Sequence, residues 1–240
     1  MPEPATPPPS KEREPLSPDT SRAHSEAGSR VDATEVTATL EATPAARARA
    51  HAAAAEAAQL FAALAADEGA LDAIAAAGEL LARCLERGDK VLACGNGGSM
   101  SDAIHLAEEL TGRFRADRRA LAAIALSDPG HLTCVGNDLG YDAVFSRGVE
   151  ALGRTGDVLV AFTTSGTSAN VLHAARTARS AGLDVVAITG RHGTPVAATA
   201  TVTVVTPGGA WADRVQEMHT LVLHTLIEIV EASLGLSAGS

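Results

Sequence analysis

Residues 91–113 read VLACGNGGSMSDAIHLAEELTGR and predict a buried strand, a glycine-rich turn and a helix. Val91–Cys94 is apolar without alternation, as expected of a strand that is covered on both faces. Gly95–Ser99 follows with three glycines and an asparagine, which permit positive φ and let a ligand approach the backbone closely. From Ser101 the apolar residues take helical spacing. A glycine loop that leads into a helix N-terminus suits an anion such as phosphate.

The helix of this segment also carries candidate chemistry, because His105 and Glu109 are spaced i,i+4 and share one face. They are candidates for acid/base or metal-ligand roles. The turn is not a dinucleotide fingerprint, since Met100 stands where G-x-G-x-x-G needs glycine, and it is not a Walker A loop. Many glycine-rich turns only make a tight corner, so the loop alone leaves both interpretations open.

Strands and helices alternate downstream of residue 90, which predicts an α/β fold with a parallel sheet and helices on both faces. In such sheets, ligands bind beyond the carboxyl ends of the strands. The predicted strands are 90–94, 121–126, 157–163, 184–189 and 201–205. The predicted helices are 99–115, 129–136, 141–152, 168–181 and 211–235.

The N-terminal part of the chain divides into two segments of different composition. Residues 1–44 hold eight of the 11 prolines and no persistent apolar period, and they predict a disordered tail. Residues 45–88 are alanine-rich and predict a helical pair, whose second helix runs from about Leu71 to Glu86 and is closed by Gly88. The predicted organisation is therefore a tail, 1–44, and one domain, 45–238.

A second candidate ligand loop follows the third predicted strand, at Thr163–Asn170. Six of its eight residues carry a side-chain hydroxyl or amide. Hydroxyls combined with helix N-terminal amides form a phosphate cradle without fixed positive charge. A helix N-cap is the simpler alternative, but it accounts for only one hydroxyl.

Polar pairs follow other predicted strands and helices. Asp128 precedes Pro129 and fits a helix N-cap, whereas Asp138, next to Asn137, could orient a sugar hydroxyl. The last helix carries Gln216 and His224 among its apolar residues and begins after a glycine loop, at the ligand edge of the sheet.

Composition limits the function classes. The net charge of −10, without a basic cluster, argues against a nucleic-acid partner. The cysteines, Cys84, Cys94 and Cys134, lack CxxC spacing and indicate buried thiols in a reducing compartment. No apolar run is long enough for a membrane span or a signal peptide, so a soluble cytoplasmic protein is expected.

Together the motifs resemble the phosphoheptose isomerases of the sugar-isomerase (SIS) domain superfamily. The resemblance covers about residues 46–235 and rests on CGNGGS, AEELTGRF at 107–114, SD…VGND, TTSGTSAN and ADRVQEMH…H. The glycine and serine loops mark only the superfamily; the set of His105, Glu109, Gln216 and His224 is more specific. The chain departs from the family pattern at Met100-Ser101 and in its proline-rich tail.

The resemblance implies a three-layer, flavodoxin-like domain with a five-stranded parallel sheet, in a homotetramer with active sites at subunit interfaces. It implies conversion of sedoheptulose 7-phosphate to D-glycero-D-manno-heptose 7-phosphate, an aldose–ketose isomerisation that begins activated-heptose synthesis. The positions that match the family's zinc site, with one zinc per subunit, are His105, Glu109, Gln216 and His224. Those that match its substrate loops are Asn96, Gly97, Gly98, Asn137, Asp138, Thr163, Thr164, Ser165 and Ser168, with Glu109 and Gln216 also touching substrate. Arg113 and Asp213 fall near the site.

The chemistry of these residues suits the reaction. Isomerisation needs a base at the carbon next to the carbonyl and an acid at the oxygen, and Glu109 and His224 are the natural pair. Gln216 and His224 are eight residues apart, about 12 Å along one helix, so they must lean together or belong to different subunits' sites. The alternative from another class is a non-catalytic SIS binding protein of the type that associates with the DnaA initiator.

Overall fold

The computed structural model describes residues 42–209 and 211–236; residues 1–41 of the predicted tail and the last four residues lie outside this part. The chain begins with α1 (Pro44–Ala65) and α2 (Glu68–Glu86). It continues as β1 (Val91–Cys94), α3 (Gly98–Thr111), β2 (Ala123–Ala125), α4 (Pro129–Asp138), a 3₁₀ turn (Tyr141–Ala143), α5 (Ser146–Leu152), β3 (Val158–Thr163), α6 (Ala169–Ser180), β4 (Asp184–Thr189), a second 3₁₀ turn (Ala197–Thr199), β5 (Val202–Val205) and α7 (Ala212–Ser233).

The five strands form one parallel sheet in the order β2-β1-β3-β4-β5. This is the flavodoxin-like order, and it confirms the predicted fold class and sheet. The order reverses between β1 and β3, so the loops that follow these two strands open at the switch point where ligands bind in such sheets.

Helices cover both faces of the sheet and divide the apolar core into two clusters. One cluster packs α2, α3 and α7 against one face, through residues such as Leu81, Leu106 and Leu223. The other packs α5 and α6 against the opposite face, through residues such as Val149 and Ala175. Strand residues alternate between the clusters: Val160 faces the first and Leu159 the second. Thus α3 and α7, which carry the candidate histidines, are neighbours on the same face.

Several element boundaries differ from the predicted ones for local reasons. Helix α2 begins at Glu68, three residues before the predicted Leu71, because the Asp67 carboxylate accepts from the Ala70 N–H and caps the helix. Helix α3 ends at Thr111 because Gly112 leaves the helical conformation. The predicted helix 141–152 is divided into the 3₁₀ turn and α5.

The prediction of three buried thiols is wrong for Cys134. Cys84 and Cys94 are buried, and burial raises the pKa of each thiol to about 12, so both are inert at neutral pH. Cys134 is exposed, because α4 buries only Val135 and presents Cys134 on its outer side. No helix among the described residues is long and apolar enough to cross a membrane.

Candidate active site

Three candidate ligands meet where α3 packs on α7. Nε2 of His105 lies 3.4 Å from Oε1 of Glu109, one turn further along α3, and 3.4 Å from Nε2 of His224 on α7. One donor atom from each residue falls within 4.8 Å of the other two. The His105 and Glu109 side chains keep 35% and 19% of their surface exposed, so a small ligand can reach them. We call these three residues the histidine–glutamate cluster.

The environment of His224 favours the neutral form of its ring. Phe114 stacks on the ring with centroids 5.7 Å apart, and His105 meets it edge-on at 4.8 Å. Burial lowers the pKa of His224 most, the nearby His105 lowers it further, and the Glu109 carboxylate opposes both. A neutral ring nitrogen can bind a metal ion or accept a proton, and once protonated this ring is a stronger acid than an ordinary histidine.

Two of the three separations within the cluster fit a tetrahedral metal site. Ligand atoms held at about 2.0–2.1 Å from zinc in tetrahedral geometry lie about 3.3–3.4 Å from one another. The His105–His224 and His105–Glu109 separations are both 3.4 Å. Two imidazoles and a carboxylate are N/O donors that zinc accepts, and three protein ligands leave a position open for substrate.

The first turn of α3 is bound to α7 next to this cluster. Thr220 of α7 has its hydroxyl 3.1 Å from the Asp102 carboxylate of α3. Burial raises the pKa of Asp102 to about 6. At the other end of α3, buried Arg118 donates to the Glu109 carbonyl and to the Glu231 carboxylate of α7. These contacts fix the spacing of the two helices that supply the cluster.

A separate small pocket lies at the carboxyl ends of β1 and β3. It encloses about 60 Å³ and is lined by Asn96, Ser99, Phe162, Thr163, Thr164, Ser168 and Gln216. We call it the strand-end pocket. It brings together residues from both candidate loops and from the start of α7, as the position of the switch point predicts.

Gly97 and Gly98, at the start of α3, are each required to be glycine for a different structural reason. Gly97 has φ of 56°, a conformation that side chains disfavour. Gly98 lies under Gln216, because a Cβ at residue 98 would fall 2.5 Å from Oε1 of Gln216. The Gln216 amide therefore lies against the glycine loop, in the strand-end pocket and not beside His224 in the same chain.

The hydroxyl loop after β3 uses some of its hydroxyls internally and leaves others available. Oγ1 of Thr163 accepts from the Gly166 N–H, and Oγ of Ser165 accepts from the Thr167 N–H. Ser168 is the N-cap of α6, but its side chain makes no capping hydrogen bond. The ordinary N-cap interpretation therefore does not account for the Ser168 hydroxyl, which lines the pocket.

The remaining predicted residues lie around these two features. Asn137 donates to Asp138 at 2.7 Å at the exposed end of α4, and neither lines the strand-end pocket. Asp128 is the N-cap of α4, as predicted, and accepts from the His131 N–H. Arg113 pairs with Asp117 on the surface.

Sequence reasoning missed two polar residues next to the strand-end pocket. Asn170 is buried in the first turn of α6 and bonds Asn96, and Tyr141 reaches Asn96 from the 3₁₀ turn. Asn170 was part of the hydroxyl-rich run, so its position after the loop was a usable signal. The sequence gives no such signal for Tyr141, because a single tyrosine in a turn belongs to no recognisable motif.

Comparison with known proteins identifies the class. The SIS domain family model matches residues 54–190, and the chain belongs to this family. A phosphoheptose isomerase from Aeromonas hydrophila is 52% identical over 179 residues, which cover 75% of this chain and 93% of that protein. Within the SIS family, the chain is therefore a member of the phosphoheptose isomerases.

Solved structures agree with this placement. Phosphoheptose isomerase GmhA from Neisseria gonorrhoeae superimposes with a TM-score of 0.71 at 40% identity, covering 78% of this chain and 98% of its own. A phosphoheptose isomerase from Francisella tularensis superimposes with a TM-score of 0.72 at 34% identity, covering 77% of this chain and 97% of its own. The alternative of a DnaA-associating binding protein finds no support in these relatives.

Proposed function

We propose that this protein converts sedoheptulose 7-phosphate to D-glycero-D-manno-heptose 7-phosphate. The observation that carries the proposal is the histidine–glutamate cluster, within a chain 52% identical to a phosphoheptose isomerase. A protein that only binds phosphosugars needs no base and acid held together, whereas an aldose–ketose isomerase does.

The proposed reaction moves a proton between adjacent carbons through an enediol. Glu109 removes the proton from the carbon next to the carbonyl and returns it to the neighbouring carbon. His224 exchanges a proton with the substrate oxygens through the ring nitrogen that does not bind the metal, and the lowered pKa of its ring suits it to this role. The hydroxyl loop at Thr163–Ser168 and the N-terminus of α6 bind the phosphate. Gly97, Gly98 and Asn96 hold the sugar backbone, and Asn137 and Asp138 bind it from the end of α4.

We propose zinc, one per subunit, as the ion of the histidine–glutamate cluster, with His105, Glu109 and His224 as ligands. Bound there, zinc would polarise the substrate carbonyl as a Lewis acid. Glu109 has two proposed roles, and a carboxylate clamped on a metal is a weaker base, so it acts as base only when its second oxygen is free. Gln216 stays a predicted fourth ligand, supplied to the cluster of another subunit.

The separation of the two halves of the site supports an oligomer. Gln216 lies in the strand-end pocket, while His224 is eight residues, or about 12 Å, further along α7. One chain therefore presents its phosphate loop and its histidine–glutamate cluster at different places. Ile104 and Leu221, on α3 and α7 close to the cluster, are 44% and 39% exposed, as expected of residues that meet a partner. We propose a homotetramer in which the cluster of one subunit faces the strand-end pocket of its neighbour.

The deciding experiment is incubation of the purified protein with sedoheptulose 7-phosphate while the aldose product is followed. Turnover that depends on metal and disappears in a Glu109→Gln variant is the expected result. Absence of turnover with zinc present would contradict the proposed function. The residue 1–44 tail and the 45–238 boundary stay predictions; a variant that begins at Pro44 and keeps full activity would support them.

A further inference from the structure

Two side-chain amides form a closed pair beside the strand-end pocket. Nδ2 of Asn96 donates to Oδ1 of Asn170 at 2.9 Å, and Nδ2 of Asn170 donates back to Oδ1 of Asn96 at 2.8 Å. Asn96 belongs to the loop after β1 and Asn170 to the first turn of α6, 74 residues later. The pair therefore binds the glycine loop to the helix that follows the hydroxyl loop.

A backbone group determines which way both amides point. The N–H of Val171 donates to Oδ1 of Asn170 at 2.9 Å, and a backbone N–H can only donate. Oδ1 of Asn170 therefore faces Val171, and its Nδ2 must face Asn96. Consequently Asn96 presents its oxygen to Asn170 and cannot be rotated without losing both bonds. The backbone of α6 thus determines the orientation of the Asn96 amide.

Tyr141 completes the arrangement from a third segment. Its hydroxyl donates to Oδ1 of Asn96 at 2.9 Å, although its side chain belongs to an exposed turn. Oδ1 of Asn96 then accepts two hydrogen bonds, one from Tyr141 and one from Asn170, which fill its two lone pairs. Within the part of the chain that the structure describes, the Asn96 side chain has one unused group, the second N–H of Nδ2, and Asn96 lines the strand-end pocket.

We propose that Asn170 and Tyr141 are positioning residues that hold the Asn96 amide so that it offers one N–H, and no acceptor, to an oxygen of the bound sugar phosphate. The proposal rests on the proposed function. The free N–H of Asn96 then selects among substrate groups. It binds a substrate oxygen that has a free lone pair, and it rejects a substrate group that can only donate a hydrogen bond. The same hydrogen bonds also connect the two loops that are proposed to bind substrate, after β1 and after β3, with the 3₁₀ turn that follows α4.

The test is kinetic and calorimetric, on the full chain loaded with zinc. The turnover number kcat and the constant KM for sedoheptulose 7-phosphate, and the Kd of the same sugar phosphate, are measured for Tyr141→Phe, Asn170→Ala and the double variant. Loss of one neutral hydrogen bond predicts that Tyr141→Phe raises KM and Kd about two- to tenfold while kcat stays near the native value. Thr199→Val is the matched control, because it removes a hydroxyl bond to the Val196 carbonyl outside the pocket.

Non-additivity separates positioning from a merely structural effect. Once Asn170→Ala has released the Asn96 amide, Tyr141→Phe should add less than its effect in the native chain, because both act through the same oxygen. If Asn170→Ala fails to fold, Asn96→Ser takes its place: in that background Tyr141→Phe should change neither KM nor Kd. Unchanged constants in Tyr141→Phe, effects that multiply independently, or a fall in kcat alone would overturn the proposal.

Binding distinguishes this inference from the proposed function. A native protein that binds sedoheptulose 7-phosphate without converting it would contradict the isomerase, while the Kd values of the variants would still decide the role of Asn170 and Tyr141. A native protein that neither binds nor converts the sugar phosphate would overturn both.

Discussion

Nε2 of His224 lies 3.4 Å from Nε2 of His105, although 119 residues separate them in the chain. The contact depends on the packing of α7 on α3, and Phe114 holds the His224 ring from its other side. Two facing imidazole nitrogens at this distance share either a proton or a cation. The Glu109 carboxylate lies 3.4 Å from His105, so the metal ion proposed for this cluster would meet a negative charge as well as two ring nitrogens.

The first prediction concerns metal and stability. A ligand present at a hundred times its Kd stabilises the folded state by about 2.7 kcal/mol, which for a domain of this size raises Tm by about 5–10 °C. Dialysis against a chelator should lower Tm by this amount, and added zinc should restore it. In His224→Gln the zinc-dependent shift should disappear, whereas exposed His192→Gln, outside the cluster, should keep it. Elemental analysis should find about one metal per subunit; a metal-free, fully active protein would contradict the assignment.

The second prediction separates two adjacent carboxylates on α3. Glu109→Gln preserves shape but removes the base, and loss of a general base typically lowers kcat by about 10²- to 10⁴-fold. Glu108→Gln is its matched control, since Glu108 is 63% exposed and lies 3.9 Å from His105. We expect kcat of Glu108→Gln within about twofold of native, because an exposed ion pair contributes little. Equal losses in the two variants would show that charge near His105, rather than the base, is what the reaction needs.

The third prediction tests the Ser168 hydroxyl as a phosphate ligand. Because this hydroxyl makes no capping bond, Ser168→Ala should leave Tm nearly unchanged. A hydrogen bond to a charged group contributes about 1.5–3 kcal/mol, so KM should rise about 10- to 100-fold. Thr155→Ala is the control, since the Thr155 hydroxyl bonds the Ala181 carbonyl before the amino end of β3. A fall in Tm without a change in KM would assign Ser168 to the cap after all.

Much of this arrangement was accessible from the sequence. Apolar runs predicted the strands; the run is uninterrupted in the fully buried β1, whereas the partly exposed β5 contains Thr203. The i,i+4 spacing placed His105 and Glu109 on one face. The resemblance selected His224, whose partner lies on another helix. The position of Gln216 was harder, because its contact with Gly98 depends on how α7 packs over the glycine loop. Asn170 and Tyr141 act through hydrogen bonds between segments that are distant in the sequence, and local sequence patterns do not predict such bonds.

The fourth prediction concerns pH and the buried His219. Neither of its ring nitrogens makes a hydrogen bond of normal geometry among the described residues; burial lowers its pKa from 6.5 to about 4, against a smaller opposing effect of the Thr189 backbone. The unfolded chain therefore binds a proton that the folded chain does not, and the folded state loses up to about 3 kcal/mol as pH falls from 6.5 towards 4. Replacement by an apolar residue of similar volume, His219→Met, removes this loss and should cost little at pH 7.

Urea denaturation between pH 4 and 7 measures this contribution as the difference in the free energy of unfolding between the native protein and His219→Met. The difference is required because Asp102, whose pKa is raised to about 6, acts with opposite sign in the same range. Its protonated form is favoured by folding, so its contribution to stability falls as pH rises from about 4 to 6. Asp102 is present in both proteins and cancels. Parallel curves for the two proteins would show that His219 has the same pKa in the folded and unfolded states, and would contradict the prediction.

The fifth prediction tests the shared site by mixing two inactive variants. One carries Glu109→Gln and keeps an intact strand-end pocket; the other carries Thr164→Ala, Ser165→Ala and Ser168→Ala and keeps an intact histidine–glutamate cluster. If each site takes its cluster from one subunit and its pocket from another, random assembly makes about a quarter of the sites fully native. Co-expression should therefore restore about a quarter of native kcat, whereas separately purified variants mixed without subunit exchange should stay inactive. Because every chain in the mixture carries a defect, a site built within one chain could never be repaired, and absence of recovery in verified mixed oligomers would contradict the interface.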